Sequence, residues 1–156
     1  MEIERKFTIK HLPDQLEQYT HHVIEQAYLC TDPVVRVRKE DSTYYMTYKG
    51  GGMLAREEYN LPLNKESYDN LSGFTKHRII SKIRYLIPYG KHTIELDVFK
   101  GELDGLIIAE VEFDSVEEAN DFLAPDWFGE DVTYDKHYHN SNLCRMDEAT
   151  LKQILK

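Results

Sequence analysis

The chain opens with Glu2, Glu4 and Lys6 alternating with Ile3, Arg5 and Phe7. In an extended strand successive side chains leave on opposite faces, so the two carboxylates and the lysine share one side. Like charges that close repel, and a sheet gains nothing by placing them there. A divalent cation between the carboxylates, with the lysine kept for an anion, reconciles them; a solvated strand face is the plainer alternative. Repetition separates the two. Arg36 and Arg38 flank Val37, Lys82 and Arg84 flank Ile83, and Glu110 and Glu112 flank Val111. Thr47 with Lys49, Arg56 with Glu58, and Glu95 with Asp97 follow the same spacing. A solvated face mixes both signs with Ser, Thr and Gln, whereas several of these segments are purely cationic or purely anionic.

If such a sheet closes on itself, the charged face becomes its interior. Small barrels fill that space with side chains, so a charged lumen implies a tunnel occupied by water or ligand. An unpaired buried ion costs several kcal/mol, and a polyphosphate with its metal ions would neutralise both halves at once. Glu2, Glu4, Asp97, Glu110 and Glu112 are hard oxygen donors suited to Mg²⁺ or Mn²⁺. Lysine and arginine supply the matching phosphate contacts, arginine in bidentate fashion.

The elements that must position these groups are mostly strands. Period-2 patterning predicts strands near 2–9, 25–31, 34–40, 43–50, 55–62, 78–87, 92–100 and 106–114. Turn signals such as Glu40-Asp41-Ser42, Gly50-Gly51-Gly52 and Pro88-Tyr89-Gly90 separate them, and connections this short imply antiparallel neighbours. Helices are predicted at 13–18, at 64–71 with Asn64 as cap, after Ser115 in capping-box spacing, and over 147–155. The expected fold is one α+β domain spanning 1–156, dominated by antiparallel strands.

Charged residues make up 30% of the chain and hydrophobic ones 41%, the balance of a soluble globular protein, with no apolar run of membrane-spanning length. A net charge of −9 argues against a nucleic-acid partner but leaves room for a small polyanion in a local basic pocket. Cys30 and Cys144 lack metal-ligand spacing and read as reduced thiols in a cytoplasmic protein. The seven histidines form no zinc-type pattern, and no helix or Lys-Ser/Thr pair follows the glycine cluster as a phosphate loop requires. No Ser–His–Asp or Cys–His set has a supporting context.

Taken in order, Glu-x-Glu-x-Lys, Arg-x-Arg, Thr47-Tyr48-Lys49, Lys-x-Arg, Glu95-Leu96-Asp97 and Glu110-Val111-Glu112 resemble the CYTH superfamily, the triphosphate tunnel metalloenzymes. Gln26-Ala27-Tyr28-Leu29 and Lys136-x-Tyr138-x-Asn140 are similar to segments of its short bacterial members. The resemblance implies an eight-stranded antiparallel β-barrel, a tunnel with helices packed outside. It implies metal binding at Glu2, Glu4, Asp97, Glu110 and Glu112, against the alternative of a salt-bridged lining. It implies triphosphate contacts from Lys6, Arg36, Arg38, Lys49, Lys82, Arg84 and Lys136, the last against a plain exposed lysine. Catalytic roles then fall to Lys6, Arg38, Lys49 and Glu58, where Glu58 either ties down a cation or positions water. Tyr28 either packs in the wall or hydrogen-bonds a lysine.

The implied reaction is metal-dependent hydrolysis of a linear triphosphate, with inorganic tripolyphosphate as preferred substrate. A class IV-type adenylyl cyclase, a thiamine or nucleoside triphosphatase and a non-catalytic polyphosphate-binding module are the alternatives. The eleven tyrosines offer material for a homodimer interface.

Overall fold

The alternating segments form strands because one face of each is apolar and must be covered. In the computed structural model, which describes residues 1–155, these are β1 (Glu2–Ile9), β2 (Thr20–Thr31), β3 (Val34–Glu40), β4 (Thr43–Lys49), β5 (Ala55–Arg56), β6 (Glu58–Leu63), β7 (Ile80–Tyr89), β8 (His92–Lys100), β9 (Ile107–Glu112) and β10 (Phe128–Asp131). The helices are α1 (Lys65–Ser72), α2 (Val116–Asp121), α3 (Asn140–Leu143) and α4 (Glu148–Ile154). Asn64, Ser115 and Asp147 cap α1, α2 and α4, each accepting a bond from a backbone N–H three residues on. The segment predicted as a helix over 13–18 tightens to a single 3-10 turn, Leu16–Gln18.

All strand pairs are antiparallel, in the order β10-β1-β9-β8-β7-β2-β3-β4-β6. The sheet closes because β5 pairs with the start of β1, with Glu2 opposite Arg56, and continues after Glu57 as β6 against β4. Counted as one interrupted strand, β5 and β6 complete the eight-stranded wall, and β10 is an addition that extends β1 at its other end. Between those two partners, the Glu4 N–H donates to Leu54 O and the Lys6 N–H donates to the Thr133 hydroxyl. The first strand therefore has its second edge satisfied piecemeal.

The apolar residues divide into an outer coat and a floor. On the outside of β1, β7, β8 and β9, Ile3, Phe7, Ile87, Ile94, Leu96 and Val111 pack with Phe113, Ala119 of α2 and Phe128 of β10. A second outer cluster joins Ala27 and Val37 to Tyr68 of α1. The floor lies on the inward side: Val34, Ile80, Phe99 and Ile108 share strand parity with Arg36, Lys82, Asp97 and Glu110, and they pack with Leu143, Cys144 and Leu151 of the α3–α4 region. The lumen is thus charged along its length and apolar at its base.

Candidate active site

Strand register converts the sequence pairs into facing rows of charge. Glu4 lies opposite Glu112 and Lys6 opposite Glu110 across β1 and β9. Glu95 faces Glu110, Arg84 faces Asp97, and Lys49 faces Glu58. All of these but Asp97 line a cavity of about 220 Å³. Its acids are Glu2, Glu4, Glu58, Glu95, Glu110 and Glu112, with Glu40 at the edge; its cations are Lys6, Arg36, Arg38, Lys49, Lys82 and Arg84, with Arg56. Most are buried, Lys82 to within 2% of complete burial and Lys6 to within 3%. Charges so withdrawn from water must be compensated, either by one another or by a ligand.

Toward the floor, cations dominate. Burial, then Arg36 and Arg84, lower the Arg38 pKa, and burial pushes Lys82 down to about 7, against the attraction of Asp97 and with Arg84 and Arg38 adding repulsion. The Arg36 Nε is a buried donor without an acceptor among the described residues. A donor stranded in this way is costly, and an anion in the cavity would satisfy it while restoring charge to Lys82.

Toward the exposed side, acids dominate. Glu112 is pushed up to about 7, first by burial and then by Glu2, Glu95, Glu58 and Glu4. The other lumen acids lean on cations. Lys49 lies 3.0 Å from Glu2 and 3.4 Å from Glu58, Lys6 contacts Glu110 and lies 3.5 Å from Glu4, and Arg84 lies 3.2 Å from both Glu95 and Glu110. Glu110 is held well below the carboxylate range: burial opposes this, and Lys6 and Arg84 overcome it. Among the described residues no three acid, histidine or cysteine side chains already converge as a coordination shell. The donor set nevertheless fits a hard divalent cation, because Glu112 has no cationic partner among the described residues and four carboxylates depress its ionisation. A cation there would relieve that repulsion directly.

Eleven of the residues expected at the site line the cavity; Asp97 and Lys136 do not. Asp97 is fully buried behind the lining, gripped by Arg84 through bonds of 2.7 Å from Nε and 2.9 Å from Nη2, with the Lys82 ammonium at 2.8 Å. It faces the same way as Glu95 but deeper, toward the floor, so its neighbours are the cations. The acid that this strand presents to the cavity is Glu95. Lys136 is exposed in a 3-10 turn, Lys136–Tyr138, beside Asn142 and Arg145 on the outer surface. From this part of the chain it is Asn140 that reaches the lumen, where its Oδ1 accepts from Lys82 Nζ at 3.2 Å.

Tyr28 lines the floor side, and its hydroxyl accepts from Gln26 Nε2 at 3.0 Å. Sequence reading assigned no role to Gln26, Tyr45, Arg56 or Asn140. Inward parity was the available signal for the first three.

An antiparallel, nearly closed barrel with acids and bases lining its lumen defines the class of fold. The CYTH domain family matches residues 1–142, and the chain belongs to it. A protein of Nitrosomonas europaea named inorganic triphosphatase is 41% identical over 148 residues, covering 91% of this chain and 95% of that one. One of Acetivibrio thermocellus with the same name is 35% identical, covering 97% and 98%. A crystal structure of an inorganic triphosphatase superposes with a TM-score of 0.71 at 36% identity, covering 94% of this chain and 96% of the other.

Proposed function

We propose that this chain is a metal-dependent inorganic triphosphatase, cleaving tripolyphosphate with water to pyrophosphate and phosphate. One observation carries this reading: a single cavity holds a cationic half with a stranded Arg36 donor and an acidic half with an unpartnered Glu112. An anion or a cation alone would leave the other half uncompensated. The names of the two close relatives supply the substrate.

Glu2, Glu4, Glu110 and Glu112, with Glu95 in the place expected of Asp97, would hold Mg²⁺ or Mn²⁺. When bound, the ion would neutralise phosphate oxygens and lower the pKa of a bound water. Arg36, Arg38, Lys82 and Arg84 grip the phosphates on the floor side, and Lys6 and Lys49 do so between the two halves. Their fixed positions hold the chain for in-line attack and stabilise charge on the departing oxygen without reorganisation. Lys49 already bridges Glu2 and Glu58, so Glu58 restrains a cation here. Lys136 plays no part from its outer position.

An adenylyl cyclase would need a surface for the base. The lining offers Tyr28, Tyr45 and Val34 as its apolar or aromatic groups, scattered among charges. The reading places the enzyme in the cytoplasm, acting on a small molecule and not on nucleic acid. No helix among the described residues is long and apolar enough to cross a membrane.

The test is phosphate release from tripolyphosphate, ATP and thiamine triphosphate with Mg²⁺ or Mn²⁺, and with EDTA as control. Metal-dependent release favouring tripolyphosphate is expected. Silence on all three substrates overturns the proposal, and cyclic product from ATP would favour the cyclase.

A further inference from the structure

Arg38 is held from two sides by residues to which no role has been given. Its Nε donates to Gln26 Oε1 at 2.8 Å, and its Nη1 donates to the Tyr45 hydroxyl at 3.1 Å. Gln26 is fully buried on β2, directly across from Arg38 on β3. Its amide can be oriented one way only: arginine has no acceptor, so the carbonyl oxygen must face Arg38, and the NH₂ then reaches Tyr28. Tyr45 in turn donates to Glu40 at 3.1 Å, which leaves its lone pairs for Arg38. Nη2 makes no protein hydrogen bond among the described residues, and the side chain lines the cavity.

We propose that Gln26 is a positioning residue for Arg38, with Tyr45 as the second arm of the same bracket. The inference rests on the triphosphatase reading and adds to it how one phosphate contact is aimed. Guanidinium is planar, so fixing Nε and one Nη fixes the plane and sets the Nη2 edge toward the lumen. Such aiming is needed here because Arg36 and Arg84 repel Arg38 from the space where phosphate would sit, while the Glu40 carboxylate waits 3.8 Å from Nη1 at the rim. Without Gln26, the guanidinium has both a push and a pull toward Glu40. A neutral amide suits the task better than a carboxylate, which would hold Arg38 in place but cancel the charge the phosphate is meant to meet.

Gln26→Leu, close in shape but without an acceptor, should raise KM for tripolyphosphate or lower kcat by on the order of tenfold to a hundredfold, the scale of a misplaced binding group. Gln26→Glu should keep the fold and bind tripolyphosphate more weakly. The decisive measurement is a double-mutant cycle with Arg38→Ala, with thermal unfolding followed in parallel. If Gln26 acts through Arg38, Gln26→Leu has little further kinetic effect once Arg38 is gone, whatever it does to stability. Equal kinetic effects in both backgrounds, or wild-type kinetics for Gln26→Leu, would overturn the inference. Should Gln26→Leu fail to fold, Tyr45→Phe runs the same cycle on the other arm, and additivity there overturns it too. A wild-type protein that neither binds nor cleaves tripolyphosphate would instead remove the triphosphatase reading, so the two failures are distinct.

Discussion

Replacing Asp97 by Asn tests whether this acid anchors the cations or holds metal. Asp97 accepts two charge-assisted hydrogen bonds from Arg84, at 2.7 and 2.9 Å, and sits 2.8 Å from the Lys82 ammonium, with no exposed surface. Removing one member of a buried ionic set typically costs about 3–5 kcal/mol, because the remaining charges stay buried and unopposed. Asparagine keeps one acceptor oxygen, and Lys82, already pushed down to about 7, can shed its proton. The lower end of about 3 kcal/mol is therefore expected, which for a chain of this size lowers Tm by roughly 6–12 °C. Circular dichroism melts at neutral pH measure that, and a metal titration of phosphate release supplies the second reading. KM for tripolyphosphate should rise as Arg84 and Lys82 lose their alignment, while the metal concentration giving half-maximal rate stays put. A Tm within about 2 °C of wild type, together with a shifted metal requirement, would refute the anchoring argument and return Asp97 to the metal shell.

Glu112→Gln should raise the half-saturating metal concentration by at least about tenfold, the low end of what even outer-shell changes cost. In EDTA its Tm should hold or rise, since four facing carboxylates lose a competitor; an unchanged metal requirement would strike Glu112 from the site. Thr133→Val strands the Lys6 N–H, while Asp131 Oδ1 keeps the Thr133 backbone N–H, so a loss of about 1–3 kcal/mol in urea unfolding is expected, with Thr133→Ser close to wild type. His139 is buried, and burial followed by Lys6 lowers its pKa from 6.5. The unfolded chain then binds the extra proton first, so this contribution is present above about pH 6.5 and declines as pH falls through the window below. His139→Gln, which can still donate to Thr133 O, should flatten that acid limb in a pH series of melts; an identical limb would mean other groups set it.

The wall of the barrel was legible because one physical rule, the alternation of faces, applies to every strand in it. Like-signed pairs at i and i+2 need no tertiary information to be assigned to one side. Depth along the lumen does need it: Glu95 and Asp97 share a face and both touch Arg84, and only the packing of Phe99 and Ile108 beneath them shows which one is buried behind the lining with Lys82. The five residues by which β2 begins earlier than expected include His21 and His22, whose polarity masks a strand stabilised in part by the His22–Asp41 contact. β10 escaped notice because Phe128 is its single buried residue. Gly129 there packs so close to Thr8 that an added Cβ would collide with it, a constraint sequence alone does not announce. Lys136 failed as a lumen residue because a tight turn directs Asn140 inward in its stead.

The place of β1 in the wall also governs when the site can come into being. Its strand neighbours along most of its length are β9 and β10, so Glu4 and Lys6 are made about a hundred residues before Glu110 and Glu112, while Glu2 can meet Lys49 and Arg56 sooner. At roughly 10 residues per second of synthesis, the first strand waits on the order of ten seconds, held meanwhile by little more than its two-residue contact with β5. During that time its unpaired edges are open to chance pairing, and its charged alternation is a safeguard, since an edge bearing Glu2, Glu4, Arg5 and Lys6 is a poor template for aggregation. A chain cut short before β9 has an incomplete ring and no cavity to fill. Closing the ring and balancing the charge of the lumen are the same event, the pairing of β9 with β1.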